Sequence, residues 1–463
     1  MTSMGRVNLG FILGVLRARG ALGRHERWSR TEIDRQQAAD VAALRTFAVE
    51  RSPFYRRFHA GFEGRPLTEL PILTKAQLME SFDELVTDPE VRLADLQRFL
   101  ATLDGYRLFR GRYWVARTAG SSGHPGVFLW NRREWTAVVA SYSRAQAWAG
   151  IDVNLRKRTR LAVVSSKTPW HQSALVGLSV DSPFVPVRRF DATSPLEEIV
   201  AGLNDWRPDN LVCYASMGRV LAEEQLAGRL AISPRAVICS SEVLTAESRR
   251  RIHQAFGIEP FEVYAATEPA GIAAECDRRR LHLFEDLVVT EVVDERNRPV
   301  PPGVVGAKVL VTVLFSRTQP LIRYELSDRV CLSEARCECG RSFGVVQSVE
   351  GRIEDVLIVP DGRGGSVSIH PNIFHRVLEP LSVRQWQVVQ RADVIEVRIV
   401  RGAEVVDGAT LADRVRRELE EAGAPQAIVR VEEVAAVEQT AAGKTPLIRR
   451  DGSATIGRGA VHP

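Results

Sequence analysis

The chain has 463 residues, of which 45% are hydrophobic and 26% are charged, and its formal net charge is +5. This length predicts two or three domains, and the composition is that of a globular protein rather than a disordered or fibrous one. Arginines and acids alternate along the chain, so the basic pI of about 9.0 does not indicate nucleic-acid binding. No apolar run approaches the ~20 residues of a membrane-spanning helix.

The first hundred residues have a helical and irregular pattern. An apolar run at 11–16 lies between Arg6 and Arg17 and lacks a small-residue cleavage site, so it predicts the start of a helix rather than a secretory signal. Without such a signal, the six cysteines are not expected to form a disulfide framework. We therefore expect a cytoplasmic protein without membrane contact.

Strand-like runs alternate with amphipathic helical patterns from about residue 127 to residue 285. Four short apolar runs are the predicted strands: 127–130, 161–164, 210–214 and 236–239. Apolar residues at helical spacing, such as Trp135, Val138 and Tyr142, follow the first of them. This alternation predicts a largely parallel sheet that is covered by helices.

The pattern changes after Glu285. Runs at 287–293 and 307–313 bracket a Pro/Gly turn and predict antiparallel strands. Further on, strand-like runs at 386–389, 394–400 and 427–431 surround a predicted helix from about Leu411 to Glu421.

The predicted fold class is therefore α/β with two domains. The first, 1–353, is a large N-terminal α/β portion with a helical start and an antiparallel β subdomain. The second, 354–463, is a small α+β C-terminal domain.

The segment 118–126 is the most informative loop in the chain. It contains three glycines and three hydroxyl side chains and leads directly into the strand at 127–130. Such a loop can turn its backbone N–H groups toward a polyanion, although it lacks the Gly-Lys-Ser/Thr ending of a P-loop. A plain Gly/Ser turn is the alternative. The candidate phosphate-binding residues are Thr118, Gly120, Ser121, Ser122 and Gly123.

Lysine is scarce in this arginine-rich chain. The five lysines are Lys75, Lys157, Lys167, Lys308 and Lys444. A compact ammonium is not equivalent to a guanidinium, so a lysine that is kept in such a chain is a candidate for a specific role.

Four more segments follow the glycine loop in a characteristic order: Tyr264–Glu268, Arg323–Asp328, Gly351–Asp355 and Thr440–Lys444. With the loop, they resemble the core motifs of the adenylate-forming ligases. The runs 52–55 and 70–75 resemble the N-terminal signature of the phenylacetate-CoA ligase branch. The resemblance covers nearly the whole chain.

This resemblance implies that the protein uses ATP to activate a carboxylic acid to an acyl-adenylate and then transfers the acyl group to CoA. It favours an aromatic acid as the substrate. It implies that Tyr264 stacks on adenine, Thr267 bonds the α-phosphate and Glu268 holds Mg²⁺, a cation that prefers oxygen ligands. Asp328 would accept the ribose hydroxyls. Glu242 and Ala265 would belong to the same nucleotide site.

The resemblance also assigns roles near and beyond the domain boundary. Arg352 would cap the ribose or the phosphates, and Glu354 would be the hinge, where the family usually has Asp. Lys444 would bridge the substrate carboxylate and the α-phosphate, and rotation of a mobile small domain would then release it. Other departures are His124, where a lysine is common, and Ala265 and Ser241, where glycines are usual.

Two alternatives stay open. In one, an adenylating enzyme passes the acyl group to an amine or another small nucleophile in a biosynthetic pathway. In the other, the chain is a non-catalytic nucleotide-binding homologue, although the presence of both Glu268 and Lys444 argues against this. Whether the chain forms a homodimer is left open.

A second site is predicted around the antiparallel segment. Cys276 and His282 precede this segment, while Cys337 and Cys339 follow it. Three thiols and an imidazole form a complete tetrahedral zinc set, and four protein ligands would make the zinc structural. The short Cys-x-Cys spacing is less typical than Cys-x₂-Cys, and isolated surface thiols are the alternative. The remaining cysteines lie in apolar runs and are expected to be buried: Cys213, Cys239 and Cys331.

Overall fold

A computed structural model describes residues 9–118, 125–151, 158–352, 356–363, 365–369, 372–378, 381, 383–402, 405–440 and 444–450. Residue contacts divide this part of the chain into two compact units, one that runs to Val349 and one that starts at Glu350. The assignment of nucleotide and acid binding to 1–353 and of the catalytic lysine to 354–463 stays a prediction, as does the rotation of the second domain.

The first unit begins with the expected helices. They are α1 (Leu9–His25), α2 (Arg30–Arg51), α3 (Pro53–Phe58), a 3₁₀ turn (Leu67–Glu69), α4 (Lys75–Glu80), α5 (Phe82–Leu85) and α6 (Leu93–Ala101). Ser29 and Glu32 form a capping box at the start of α2, and Thr74 and Gln77 form one at α4. The apolar run at 11–16 is therefore helical, as predicted.

A hairpin and a long helix follow. Strands β1 (Trp114–Arg117) and β2 (Val127–Trp130) pair antiparallel, and α7 (Arg132–Trp148) begins at a capping box of Asn131 and Glu134. Trp135 and Val138 of α7 are fully buried, which confirms the helix predicted from their spacing.

A nine-stranded sheet forms the centre of the first unit. Its strands are β3 (Leu161–Ser165), β4 (Val187–Asp191), β5 (Asn210–Tyr214), β6 (Ala236–Ser240), β7 (Phe261–Ala266), β8 (Ala270–Glu275), β9 (Leu281–Leu283), β13 (Asp328–Leu332) and β14 (Val345–Arg352). The spatial order is β13-β14-β9-β8-β7-β6-β5-β3-β4. Strands β3 to β7 are parallel, which confirms the predicted strands at 161–164, 210–214 and 236–239. The run at 127–130 was expected to belong with them, and this was wrong, because β2 pairs with β1 in a separate antiparallel hairpin. The helices between them are α8 (Gln172–Ser179), α9 (Leu196–Trp206), α10 (Ala215–Leu226) and α11 (Ala246–Phe256).

The predicted antiparallel subdomain is a three-stranded sheet. It consists of β10 (Val288–Val293), β11 (Lys308–Val313) and β12 (Tyr324–Leu326) in that order. Strand β11 pairs antiparallel with both neighbours. The two runs recognised in the sequence are therefore adjacent strands.

The second unit has its own four-stranded sheet and apolar core. Its elements are β15 (Leu357–Pro360), β16 (Ser366–Ile369), α12 (Asn372–Leu378), β17 (Gln385–Arg391), β18 (Val394–Val400), α13 (Gly408–Glu421), β19 (Ile428–Glu433) and β20 (Ile448–Arg450). The sheet order is β19-β18-β17-β20. The α/β and α+β character predicted for the two parts is confirmed.

One helix start was wrong. Helix α13 begins at Gly408 rather than near Leu411, because the Asp407 side chain accepts hydrogen bonds from the N–H groups of Ala409 and Thr410. Among the described residues, no helix combines the length and the apolar character that crossing a bilayer requires.

Candidate active site

The carboxyl ends of the parallel strands define the candidate site. The chain continues from β3 to β4 on one side, whereas β5, β6 and β7 are added on the other side. The strand order therefore reverses between β3 and β5, and open α/β sheets bind ligands beyond the carboxyl ends of their strands at such a point. Ser241 and Glu242 follow β6 at this edge, and the motif Tyr264–Glu268 spans the end of β7.

Tyr264 and Asp328 meet in the first unit. Tyr264 lies near the end of β7, and its hydroxyl donates a hydrogen bond to Oδ2 of Asp328, the first residue of β13, at 3.1 Å. Both side chains are buried, and the pairing of β7 with β8 shifts register between Tyr264 and Ala265. Such an irregularity changes the direction of the side chains beside it. Two motifs that are 64 residues apart thus share one hydrogen bond.

Glu268 follows β7 and is also buried. The hydroxyl of Tyr324, in β12, lies 3.4 Å from its Oε1 atom. Leu73 forms a bridge with this strand, because the Leu73 N–H donates to the Arg323 carbonyl at 3.1 Å. The N-terminal signature at 70–75 therefore supports the strand whose tyrosine contacts the proposed magnesium ligand.

Gln172 was not recognised in the sequence as a site residue. Its Nε2 atom donates to the Thr267 carbonyl at 2.8 Å, and its Oε1 atom accepts from the Tyr142 hydroxyl at 3.1 Å. Burial raises the pKa of Tyr142, so its hydroxyl stays protonated and can donate. Helices α7 and α8 thereby fix the backbone of the 264–268 motif.

The base of the glycine loop is closed by Thr118. Its N–H donates to the Gly126 carbonyl at 2.9 Å, and its Oγ1 atom accepts from the Gly126 N–H at 2.8 Å. A Cβ atom at position 126 would lie 2.7 Å from the ring of the buried Phe128, so any other residue would force this ring to move. The predicted phosphate-binding residues between these two lie outside the described residues: Gly120, Ser121, Ser122 and Gly123.

Ser241 and Glu242 follow β6. Ser241 has a φ of 69°, the left-handed conformation that glycine adopts most easily, so this serine holds a backbone position that favours glycine. Oε2 of Glu242 accepts from the Ser216 N–H in the first turn of α10 at 2.8 Å. Glu242 therefore satisfies a helix N-terminus at the site edge, a role that its assignment as a nucleotide residue did not include.

The remaining motifs belong to the end of β14 and to the second unit. Arg352 is the last residue of β14, and its side chain lies outside the described part of the chain, as does Glu354. Lys444 lies in the second unit, where its carbonyl accepts from the Thr440 N–H at 2.8 Å.

The predicted cysteine and histidine residues converge. The ligand atoms of Cys276, His282, Cys337 and Cys339 all lie within 4.8 Å of one another. The Sγ atoms of Cys276 and Cys337 are 3.7 Å apart, and Sγ of Cys339 is 3.3 Å from Nε2 of His282. Strand β9 pairs with β14, which places His282 opposite Val345, and Cys337 in the loop at 337–339 contacts Cys276 in the hairpin before β9.

The tautomer of His282 suits binding of a metal ion through Nε2. Its Nδ1 atom lies 3.1 Å from the Phe343 carbonyl, which can only accept, so Nδ1 carries the hydrogen and Nε2 presents a lone pair to the thiols. Burial lowers the pKa of His282 and thus favours the neutral form that binds metals. Cys276 is fully buried, which does not fit the alternative of isolated surface thiols, and Cys213, Cys239 and Cys331 are buried as expected.

The chain has relatives among known proteins, although no family model matches it. It is 27% identical over 392 residues to a phenylacetate-coenzyme A ligase of Thermus thermophilus, and the match covers 80% of each chain. A phenylacetate-coenzyme A ligase of Pseudomonas putida is 28% identical over 172 residues, which cover 35% of this chain and 38% of that protein.

Solved structures share the fold. A 2-hydroxyisobutyryl-CoA ligase in the postadenylation state with R3-HIB-AMP has a TM-score of 0.70, with 21% identity over 93% of this chain and 92% of the other. An open conformation of such a ligase with 2-HIB-AMP and CoA has a TM-score of 0.60 and 22% identity over 90% and 92% of the two chains. The chain is therefore a homologue of the phenylacetate-CoA ligases and has the fold of the adenylate-forming ligases.

Proposed function

We propose that the chain uses ATP to convert a carboxylic acid into an acyl-adenylate and then transfers the acyl group to CoA. The supporting observation is the hydrogen bond between Tyr264 and Asp328 at the carboxyl edge of the sheet. It joins two motifs that are expected to bind adenosine, in a chain whose sequence relatives are phenylacetate-CoA ligases. An aromatic acid is proposed from the name of those relatives.

The proposed chemistry has two balanced steps. A carboxylate oxygen attacks the α-phosphorus of ATP, and pyrophosphate leaves. The CoA thiolate then attacks the acyl carbon, and AMP leaves with the bridging oxygen. Because the first step brings two anions together, catalysis depends on positioning and charge neutralisation.

The roles of the residues follow from their chemistry. Asp328 would bind the ribose hydroxyls, since a carboxylate accepts about four hydrogen bonds and can keep the one from Tyr264. Glu268 offers the oxygen donor that Mg²⁺ prefers, and the cation would neutralise phosphate charge there. Lys444 would stabilise the charge between the carboxylate and the α-phosphate, while the glycine loop, with Thr118 at its base, would hold the other phosphates.

Pyrophosphate release across a panel of aromatic, aliphatic and hydroxylated acids, with and without CoA, tests this function. We expect acid-dependent release and CoA-dependent turnover. Acid-dependent release that amines stimulate and CoA does not would favour another acceptor. Tight ATP binding without release for any acid would favour the non-catalytic alternative.

We also propose a structural zinc ion on Cys276, His282, Cys337 and Cys339. Three thiolates and a neutral imidazole suit Zn²⁺ and leave no open position for a substrate. Such a site carries one net negative charge, and the Arg341 guanidinium beside Cys339 would offset it. Arg341 also pairs with Glu26 at 3.3 Å, which connects the site to the segment between α1 and α2.

A further inference from the structure

Two hydrogen bonds hold the backbone of Lys444 against Thr440. The Thr440 N–H donates to the Lys444 carbonyl at 2.8 Å, and the Lys444 N–H donates to Oγ1 of Thr440 at 3.2 Å. Both hydrogen bonds join the same two residues. The position of the Lys444 Cα atom therefore depends on what holds the chain on either side of it. We call the two flanking segments, 438–440 and 444–447, the stem of Lys444.

One buried side chain, that of Gln387 in β17, anchors both arms of the stem. This residue is 0% exposed, and its Nε2 atom donates to the carbonyls of Glu438 and Pro446, each at 2.9 Å. Its Oε1 atom accepts from the Glu438 N–H at 3.3 Å. A single amide thus uses both of its donor hydrogens on carbonyls that flank Lys444 in the chain.

The surrounding contacts keep this anchor rigid. After Lys444, β20 pairs parallel with β17, and the Val388 N–H donates to the Leu447 carbonyl at 2.8 Å. Before Thr440, the Glu438 carboxylate pairs with Arg398 at 2.7 Å and with Arg449. Burying an amide destabilises the fold unless its hydrogen bonds are made. Gln387 makes these hydrogen bonds with backbone groups of Glu438 and Pro446, which belong to the stem of Lys444.

We infer that Gln387 is a positioning residue for Lys444 in the activation of the acid. The inference rests on the proposed role of Lys444. A lysine acts as a point charge at the end of a flexible chain, so its effect depends on where the backbone starts that chain. A displacement of about 1 Å at a reacting group can lower a rate by about a hundredfold.

The test compares the two half-reactions in Gln387→Leu. Acid-dependent exchange between pyrophosphate and ATP measures adenylation, and thioester formation from synthetic acyl-adenylate and CoA measures transfer. We expect adenylation to fall by about tenfold to a hundredfold, with transfer within about twofold of the wild type. Thr440→Val removes the acceptor of the Lys444 N–H with little change in the core and should give the same split.

Gln390→Leu is the matched control. Gln390 is also buried in β17, but its Nε2 atom donates to the carbonyls of Ile358 and Ala392. This variant should keep the adenylation rate. Amide exchange of 438–446, followed by mass spectrometry, should be faster in Gln387→Leu and unchanged in Gln390→Leu, and this readout does not depend on a known substrate.

Lys444→Ala distinguishes an error in the proposed role of Lys444 from an error in the positioning role of Gln387. If Lys444→Ala keeps full adenylation, the proposed role of Lys444 is wrong and the positioning inference falls with it. If Lys444→Ala loses adenylation while Gln387→Leu and Thr440→Val keep it, only the positioning inference is overturned. Equal losses in both half-reactions for both variants would also overturn it, because that result indicates general destabilisation.

Discussion

At the scale of single residues, Glu268 carries the proposed magnesium requirement. Glu268→Gln keeps the shape of the side chain, including an oxygen that can accept from Tyr324, but an amide oxygen is a poorer ligand for a hard cation. We expect pyrophosphate release to need more Mg²⁺ and to fall in rate, while nucleotide binding changes less. A magnesium titration measures this. An unchanged requirement with an unchanged rate would contradict the assignment.

Because His59 is buried, we expect the free energy of unfolding to fall at acidic pH. His59 is 4% exposed, both ring nitrogens lack a hydrogen-bond partner among the described residues, and burial, with Arg45 nearby, lowers its pKa to about 4. The unfolded chain binds this proton near pH 6.5. This contribution to stability is therefore complete above that pH and is lost progressively as the pH falls from about 6.5 to 4.

Urea unfolding at pH 7.5 and pH 5 checks this prediction. His59→Leu should show a smaller loss of stability between the two values than the wild type. His253→Gln is the control, since His253 is about half exposed and pairs with Glu259. The same pH dependence in His59→Leu and in the wild type would refute the role of His59.

At the scale of elements, the proposed zinc ion joins the hairpin between β8 and β9 to the loop before β14. We expect one zinc per chain by elemental analysis and a lower Tm after chelation, because metal binding contributes directly to folding free energy. Cys339→Ser should lose the metal, whereas Cys331→Ala, in β13 outside the cluster, should keep it. A metal-free preparation with full stability would rule the site out.

A buried ion pair fixes α7 against the connection between β9 and β10. Arg144 donates to both oxygens of Asp286, at 2.9 and 2.7 Å, and both side chains are almost fully buried. His25, at the end of α1, is 2.8 Å from the same carboxylate. Arg144→Met would leave a buried acid without its main counter-charge. We expect a loss of about 3–5 kcal/mol in unfolding free energy.

Urea titration measures that loss, with Arg30→Met as the comparison. Arg30 pairs with Glu285 at 2.8 Å but is partly exposed, so its pair should contribute only about 0–1 kcal/mol. Similar effects of the two substitutions would show that the buried pair has no special importance.

At the scale of the whole molecule, continuous apolar runs predicted three of the five parallel strands of the first unit, β3, β5 and β6. The runs at 161–164 and 210–214 became buried neighbours because strands covered on both faces are apolar throughout. Strands β4 and β7 contain charged residues and were missed. Strand β8 was also missed, since Ala270–Glu275 is short and rich in alanine, which has a low strand propensity. The predicted zinc ligands converged, yet the contacts of the 337–339 loop with Cys276 and His282 are not visible in their spacing.

Residues that position the site were harder to predict. Gln172 and Gln387 have the sequence appearance of surface residues, and their hydrogen-bond partners include backbone carbonyls 95 and 51 residues away. Backbone carbonyls occur at every position and leave no signature in the sequence. Only the folded chain shows which glutamines support functional loops.

The central claim is that the carboxylate is activated as an acyl-adenylate. Transfer of ¹⁸O tests it most directly, because an oxygen of the acid becomes the bridging oxygen and leaves with AMP. With an acid labelled in both carboxylate oxygens, plus ATP, Mg²⁺ and CoA, we predict AMP that carries one ¹⁸O atom for each thioester formed. Label in inorganic phosphate accompanied by ADP, or thioester formation with unlabelled AMP, would contradict the account.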